Sequence, residues 1–220
     1  RQFLCSDYPG GWKQYRATIH EETFPSFCPK HMAQNISIET EQEDSAASAV
    51  YEEAELSYNK AIINKPDFAE AHFNLANTLK AFGRLEDAKN SYKNAITIKP
   101  NYFKAFNNLG ATFQELGRLE EAEVNFKKAI VLNPNFAEAY NNLGVILKGL
   151  GRQEEAEAYF NKAIVLNPDF ADPHNNLGHM FEESGKLGSA IESYKQAIKI
   201  NHDYTEAYYN MGNILKSIKF

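Results

Sequence analysis

Cys5, His20, Cys28 and His31 combine thiolate and imidazole, the ligand chemistry of a structural zinc site. Only Cys28 and His31 are closely spaced. Three outcomes stay open for the cysteines: zinc ligands, a Cys5–Cys28 disulfide, or two free thiols, the last favoured by the loose spacing of the other ligands. Carboxylate pairs suited to acid and base roles occur at Glu120 and Glu121, Glu154 and Glu155, and Glu182 and Glu183. General acid catalysis needs a desolvated, perturbed carboxyl, whereas these pairs recur at a fixed interval, as solvated helix surface does. His72, His174 and His179 each stand without a catalytic partner in sequence, and neither a phosphate-cradling glycine loop nor a nucleophile motif is present. The expectation is a chain with no catalytic residue, no cofactor and no metal. Asn35, Ile36 and Ser37 form a glycosylation sequon, which has meaning only in a secreted protein.

The remaining polar chemistry is amide chemistry. The tetrapeptide NNLG stands at 107–110, 141–144 and 175–178, with the looser copies FNLA at 73–76 and YNMG at 209–212 in the same phase. This aligns Asn74, Asn108, Asn142, Asn176 and Asn210 in one row, with Asn107, Asn141 and Asn175 beside them. An amide both donates and accepts, so a regular row of them can grip the main chain of an extended peptide. The competing reading is local hydrogen bonding within the fold.

The interval between copies is 34 residues, the mark of a stacked supersecondary unit. In residues 69–102, Ala71, His72, Leu75, Ala76 and Leu79 recur at helical spacing until Gly83, where a left-handed residue can close a helix. Leu85, Ala88, Tyr92, Ala95, Ile96 and Ile98 then repeat the spacing until Pro100 forbids continuation. Each unit is therefore read as helix, tight turn, helix. Ala76, Gly110, Gly144, Gly178 and Gly212 share one place in the first helix. A helical glycine costs about 1 kcal/mol against alanine, which predicts close approach of the neighbouring helix. Ala88, Ala122, Ala156 and Ala190 are expected to be the small residues facing them, with the aromatic knobs Tyr92, Phe126, Phe160 and Tyr194 between.

Leu or an aromatic, Leu, Gly, the turn Gly, Ala, an aromatic, Ala and Pro at this period resemble the tetratricopeptide repeat. The resemblance covers residues 46–220: a half repeat at 46–68, full repeats at 69–102, 103–136, 137–170 and 171–204, and a half repeat at 205–220. It implies an all-α, right-handed superhelix whose first helices line a concave inner wall, with slots two, five, six, nine, twelve and thirteen of each repeat looking into it. Slot one is residue 69, 103, 137, 171 or 205, so the asparagine row occupies slot six and its companions slot five. The row is similar to the asparagine ladder of O-linked N-acetylglucosamine transferases. It does not resemble the inner wall that clamps a terminal carboxylate with basic residues. Two departures stand out, His202 where the other repeats have proline, and Lys219 where the turn glycine is expected. A last helix without its partner leaves Met211, Leu215 and Ile218 uncovered, which is read as a truncation or a docking face.

Residues 1–45 lack the repeat phase and form an irregular segment with Pro9, Gly10, Gly11, Pro25 and Pro29. Phe3, Tyr8, Trp12, Tyr15, Phe24 and Phe27 are too many aromatics for a free polar tail, so the segment is expected to lie against something. Either it covers the first repeat of its own chain, the favoured reading, or it docks as an arm on another subunit through Phe3, Trp12, Tyr15, Phe24 and Phe27.

The formal net charge of −6 gives no long-range attraction to phosphate backbones, so no nucleic-acid partner is expected. No apolar run approaches the ~20 residues that cross a bilayer, so no direct membrane insertion is expected either. The start at Arg1 rather than Met is what a fragment or a processed form would show. The expected function is a non-enzymatic scaffold binding a peptide or partner subunit, with a place in a multi-subunit complex. The alternative is the substrate-recruiting part of an enzyme, such as a glycosyltransferase, whose catalytic domain follows residue 220. Compartment does not follow from these residues.

Overall fold

The computed structural model describes residues 49–218. The aromatic segment, Cys5, His20, Cys28, His31 and the sequon lie outside the described residues.

Among the described residues the chain is entirely helix and turn: α1 (49–64), α2 (Ala69–Ala81), α3 (Leu85–Ile98), α4 (Phe103–Glu115), α5 (Leu119–Leu132), α6 (Ala137–Gly149), α7 (Gln153–Leu166), α8 (Ala171–Glu183), α9 (Leu187–Ile200) and α10 (Thr205–Ile218). The pairs α2/α3, α4/α5, α6/α7 and α8/α9 are the helix-turn-helix units that the period predicts. The first turn of each unit closes in one way. Gly83, Gly117, Gly151 and Gly185 have φ of 73° to 77°, a left-handed backbone that glycine adopts without a Cβ clash. The N–H of Gly83 then donates to Lys80 O at 2.9 Å and that of Arg84 to Leu79 O at 2.9 Å, satisfying carbonyls at the helix end. The same pair of bonds recurs at 117/118, 151/152 and 185/186.

The turn between units survives loss of its proline. Asn133, Asn167 and Asn201 each accept, through Oδ1, the N–H two residues on, at 3.2, 3.3 and 3.0 Å. His202 therefore occupies a turn built like those of Pro134 and Pro168. His202→Pro is expected to raise stability by about 0.4–1 kcal/mol by narrowing the unfolded ensemble, read as a higher melting midpoint.

The core runs continuously from repeat to repeat. Ala88, Ala122, Ala156 and Ala190, the knobs Tyr92, Phe126, Phe160 and Tyr194, and Ala95, Ala129, Ala163 and Ala197 are completely buried. The small residue at slot eight is demanded by the aromatic knob itself rather than by the facing alanine. A Cβ on Gly110 would lie 2.9 Å from the Phe126 ring, one on Gly144 2.6 Å from Phe160, and one on Gly178 2.6 Å from Tyr194. Gly212 meets nothing within 4 Å.

Successive first helices touch one another, α2 with α4, α4 with α6, α6 with α8 and α8 with α10, while no two of the second helices α3, α5, α7 and α9 do so. Units that approach more closely on one side curve toward that side. The first helices therefore form the inner wall.

Candidate functional site

The inner wall carries the asparagine row, and the structure divides the eight predicted residues into two kinds. At slot six Asn74, Asn108, Asn142, Asn176 and Asn210 are half-buried, with surface left on the wall. At slot five Asn107, Asn141 and Asn175 are 6%, 6% and 3% exposed, sunk into the seam between repeats. Slot five therefore presents little of its amide to a ligand, contrary to the expectation that it looks into the concave face.

What slot five does instead is hold slot six. Asn142 donates from Nδ2 to Asn107 Oδ1 of the preceding repeat at 3.1 Å, and Asn176 donates to Asn141 Oδ1 at 2.9 Å. The rungs tie neighbouring repeats while satisfying a buried carbonyl that would otherwise cost about 1–3 kcal/mol. The first full repeat has Phe73 at slot five and cannot supply this acceptor. There Asn77 at slot nine takes over, accepting from Asn108 Nδ2 at 2.9 Å and from the Tyr92 hydroxyl at 2.6 Å. Burial raises the Tyr92 hydroxyl to about 12, which keeps it protonated as a donor. Sequence reasoning missed Asn77, yet a signal existed. Asparagine stands at slot nine in the two repeats whose slot five is aromatic, Phe73 with Asn77 and Tyr209 with Asn213.

The last rung differs. The Tyr194 hydroxyl donates to Glu182 Oε2 at 2.9 Å, and Asn175 Oδ1 is buried without a partner. Asn175→Leu should therefore leave the melting midpoint unchanged or raise it. Asn141→Leu, which breaks a made bond, should lower stability by about 0.5–1.5 kcal/mol.

Charged groups along the same wall are paired across repeats. Lys80 meets Glu115 at 2.8 Å, and Lys148 meets Glu183 at 3.1 Å with His179 Nδ1 3.0 Å away. The slot-twelve lysines Lys80 and Lys148 are thus neutralised locally.

The carboxylate pairs sit as helix surface does. Glu121 is bonded by Arg118, and Glu155 by Arg152 at 2.7 Å. These guanidinium hydrogen bonds hold both carboxyls below the usual range, opposite to the shift a general acid needs. His72, His174 and His179 are in α2 and α8; His72 Nε2 lies 3.1 Å from Pro66 O, and burial lowers His174. Among the described residues no three His, Cys, Asp or Glu side chains converge as metal ligands, and no helix is long and apolar enough to cross a membrane.

The family model described as TPR repeat matches residues 77–117, 113–151 and 178–218, and models described as tetratricopeptide repeat match 137–170, 57–90 and 159–192. No curated protein matches the chain. Among solved structures, MamA from Desulfovibrio magneticus RS-1 superposes with a TM-score of 0.63 at 20% identity over 80% of this chain and 96% of that one. YrrB, a TPR protein with an unusual peptide-binding site, gives 0.60 at 24% identity over 74% and 84%. PilF of Pseudomonas aeruginosa gives 0.69 at 20% identity over 79% of each. At these identities the likeness establishes the fold, which the family models place independently through the repeats. The chain belongs to the tetratricopeptide repeat family.

Proposed function

We propose that this chain is a non-enzymatic protein-interaction scaffold whose inner wall binds an extended peptide, or a segment of a partner subunit, chiefly through its main chain. The observation that carries this reading is the state of the slot-six amides. Each of Asn108, Asn142 and Asn176 is pinned by one N–H to the preceding repeat, while Oδ1 of Asn142 and Asn176 makes no bond among the described residues. An acceptor held in place by its own amide meets a peptide N–H without further ordering cost. YrrB, a protein of the same fold, has an unusual peptide-binding site, which supports this class of ligand. Slot five enters the site as the support behind slot six.

The test is isothermal titration of a partner segment, recovered by affinity capture and mass spectrometry, against the wild type and the variant with Asn108, Asn142 and Asn176 changed to Ala. Weakened binding that depends little on salt is expected, because the amides are neutral and the wall lysines Lys80 and Lys148 are already paired. Wild-type affinity in the variant would move the site elsewhere. A second reading, in which these repeats recruit substrate for a larger enzyme such as a glycosyltransferase, rests on the resemblance, in sequence alone, of the slot-six row to the asparagine ladder of O-linked N-acetylglucosamine transferases. A catalytic domain encoded beyond Phe220 would decide for it. Membership of a multi-subunit assembly, with Phe3, Trp12, Tyr15, Phe24 and Phe27 as the docking arm, is tested by co-purification with and without residues 1–45.

A further inference from the structure

The outer face of the second full repeat has an open groove of about 460 Å³, lined by Phe106, Val124, Asn125, Lys127, Lys128 and Val131. Val124 and Val131 are 67% and 70% exposed, as is Val165 at 71%, one repeat on and in the same slot as Val131. Three slots change together along the chain. Slot four is Phe106 and Tyr140 in the two central repeats but His72 and His174 in the flanking ones. The slot of Val124 holds Ala158 in the next repeat but Asn90 and Glu192 in the flanking ones, and the slot of Val131 holds Thr97 and Lys199 there. All four repeats form the same helix pair, so packing does not require apolar residues at these places.

Charge completes the pattern. Lys128 stands four residues after Val124 and three before Val131, on one helical face, and Lys162 repeats this between Ala158 and Val165. Both lysines are exposed, and neither makes an ion pair among the described residues. Lys127 is spoken for by Glu123 at 2.6 Å. The same slots in α1 hold Leu56, Lys60 and Ile63, with Leu56 and Ile63 54% and 76% exposed. A free lysine between apolar residues, three times over on a chain of net charge −6, fits a carboxylate set among apolar side chains. We propose that this outer face, separate from the inner wall, is a second docking surface for a partner segment that presents apolar side chains around a central acidic residue.

The experiment is an amide chemical-shift titration of the full chain, paired with fluorescence anisotropy. The probe is a short synthetic peptide with leucine anchors around a central Asp-Glu pair, alongside a matched peptide with Lys-Lys at the centre. Shifts centred on Val124, Lys128 and Val131 are expected with the acidic peptide alone. Val124→Asn with Val131→Thr, the residue types of the first full repeat, and separately Lys128→Glu, should each weaken binding by about tenfold with an unchanged melting midpoint. No response to the acidic peptide, equal affinity for the lysine peptide, shifts confined to the asparagine wall, or patch shifts that appear with protein concentration alone would each overturn the proposal, the last assigning the face to a second copy of the chain.

Discussion

Gly144→Leu is expected to lower stability by about 1–3 kcal/mol, and Gly212→Leu to leave it unchanged, although the two glycines occupy the same slot of their units. At Gly144 even a Cβ would stand 2.6 Å from the Phe160 ring, and that ring is completely buried, so it cannot swing outward without opening the core. Gly178 faces Tyr194 at the same distance, and Gly110 faces Phe126 at 2.9 Å, so the three substitutions should cost similar amounts. Ala76 shows that one methyl can be accommodated against Tyr92, which makes alanine milder than leucine. Thermal melts of the four leucine variants check this. Each kcal/mol corresponds to roughly 2–4 °C for a domain of this size. An equal loss at Gly212 would mean that the penalty arises within the helix and not from the knob.

The triple change of Asn108, Asn142 and Asn176 to Ala is expected to weaken peptide binding by about 10- to 1000-fold, from 0.5–1.5 kcal/mol per lost amide contact if the terms add. It should also destabilise the fold, because Asn107 Oδ1 and Asn141 Oδ1 then stay buried without their donors. Chemical denaturation measures that second effect. The two are separated by Asn107→Ala with Asn141→Ala, which keeps every slot-six amide on the wall but removes the acceptors that orient two of them. Binding in this variant should fall by less than in the triple variant. A loss as large as that of the triple variant would assign the whole effect to loosening of the repeats.

Periodicity carried most of the fold. A 34-residue interval, glycine at the turn, and alanine with an aromatic four residues apart are each visible in the residues that meet them, while proline between units marks a turn that His202 shows can form without it. Positive φ at Gly83, Gly117, Gly151 and Gly185 is the clearest case, since backbone geometry there restricts residue type directly. The sequence also showed that the asparagines are in phase, and hence that whatever one of them does its equivalents can do.

Direction was decided only by the tertiary structure. Adjacent residues on a helix point about 100° apart, so Asn107 and Asn108 stand side by side in the chain yet serve different surroundings, one the seam between repeats and one the open wall. Which of the two is buried depends on where the preceding repeat lies, and its Oδ1 and Nδ2 atoms then settle which amide holds which. The same holds at slot eight: composition indicates that space is short there, but only the Phe126, Phe160 and Tyr194 rings, 2.6–2.9 Å from where a Cβ would stand, identify what takes it.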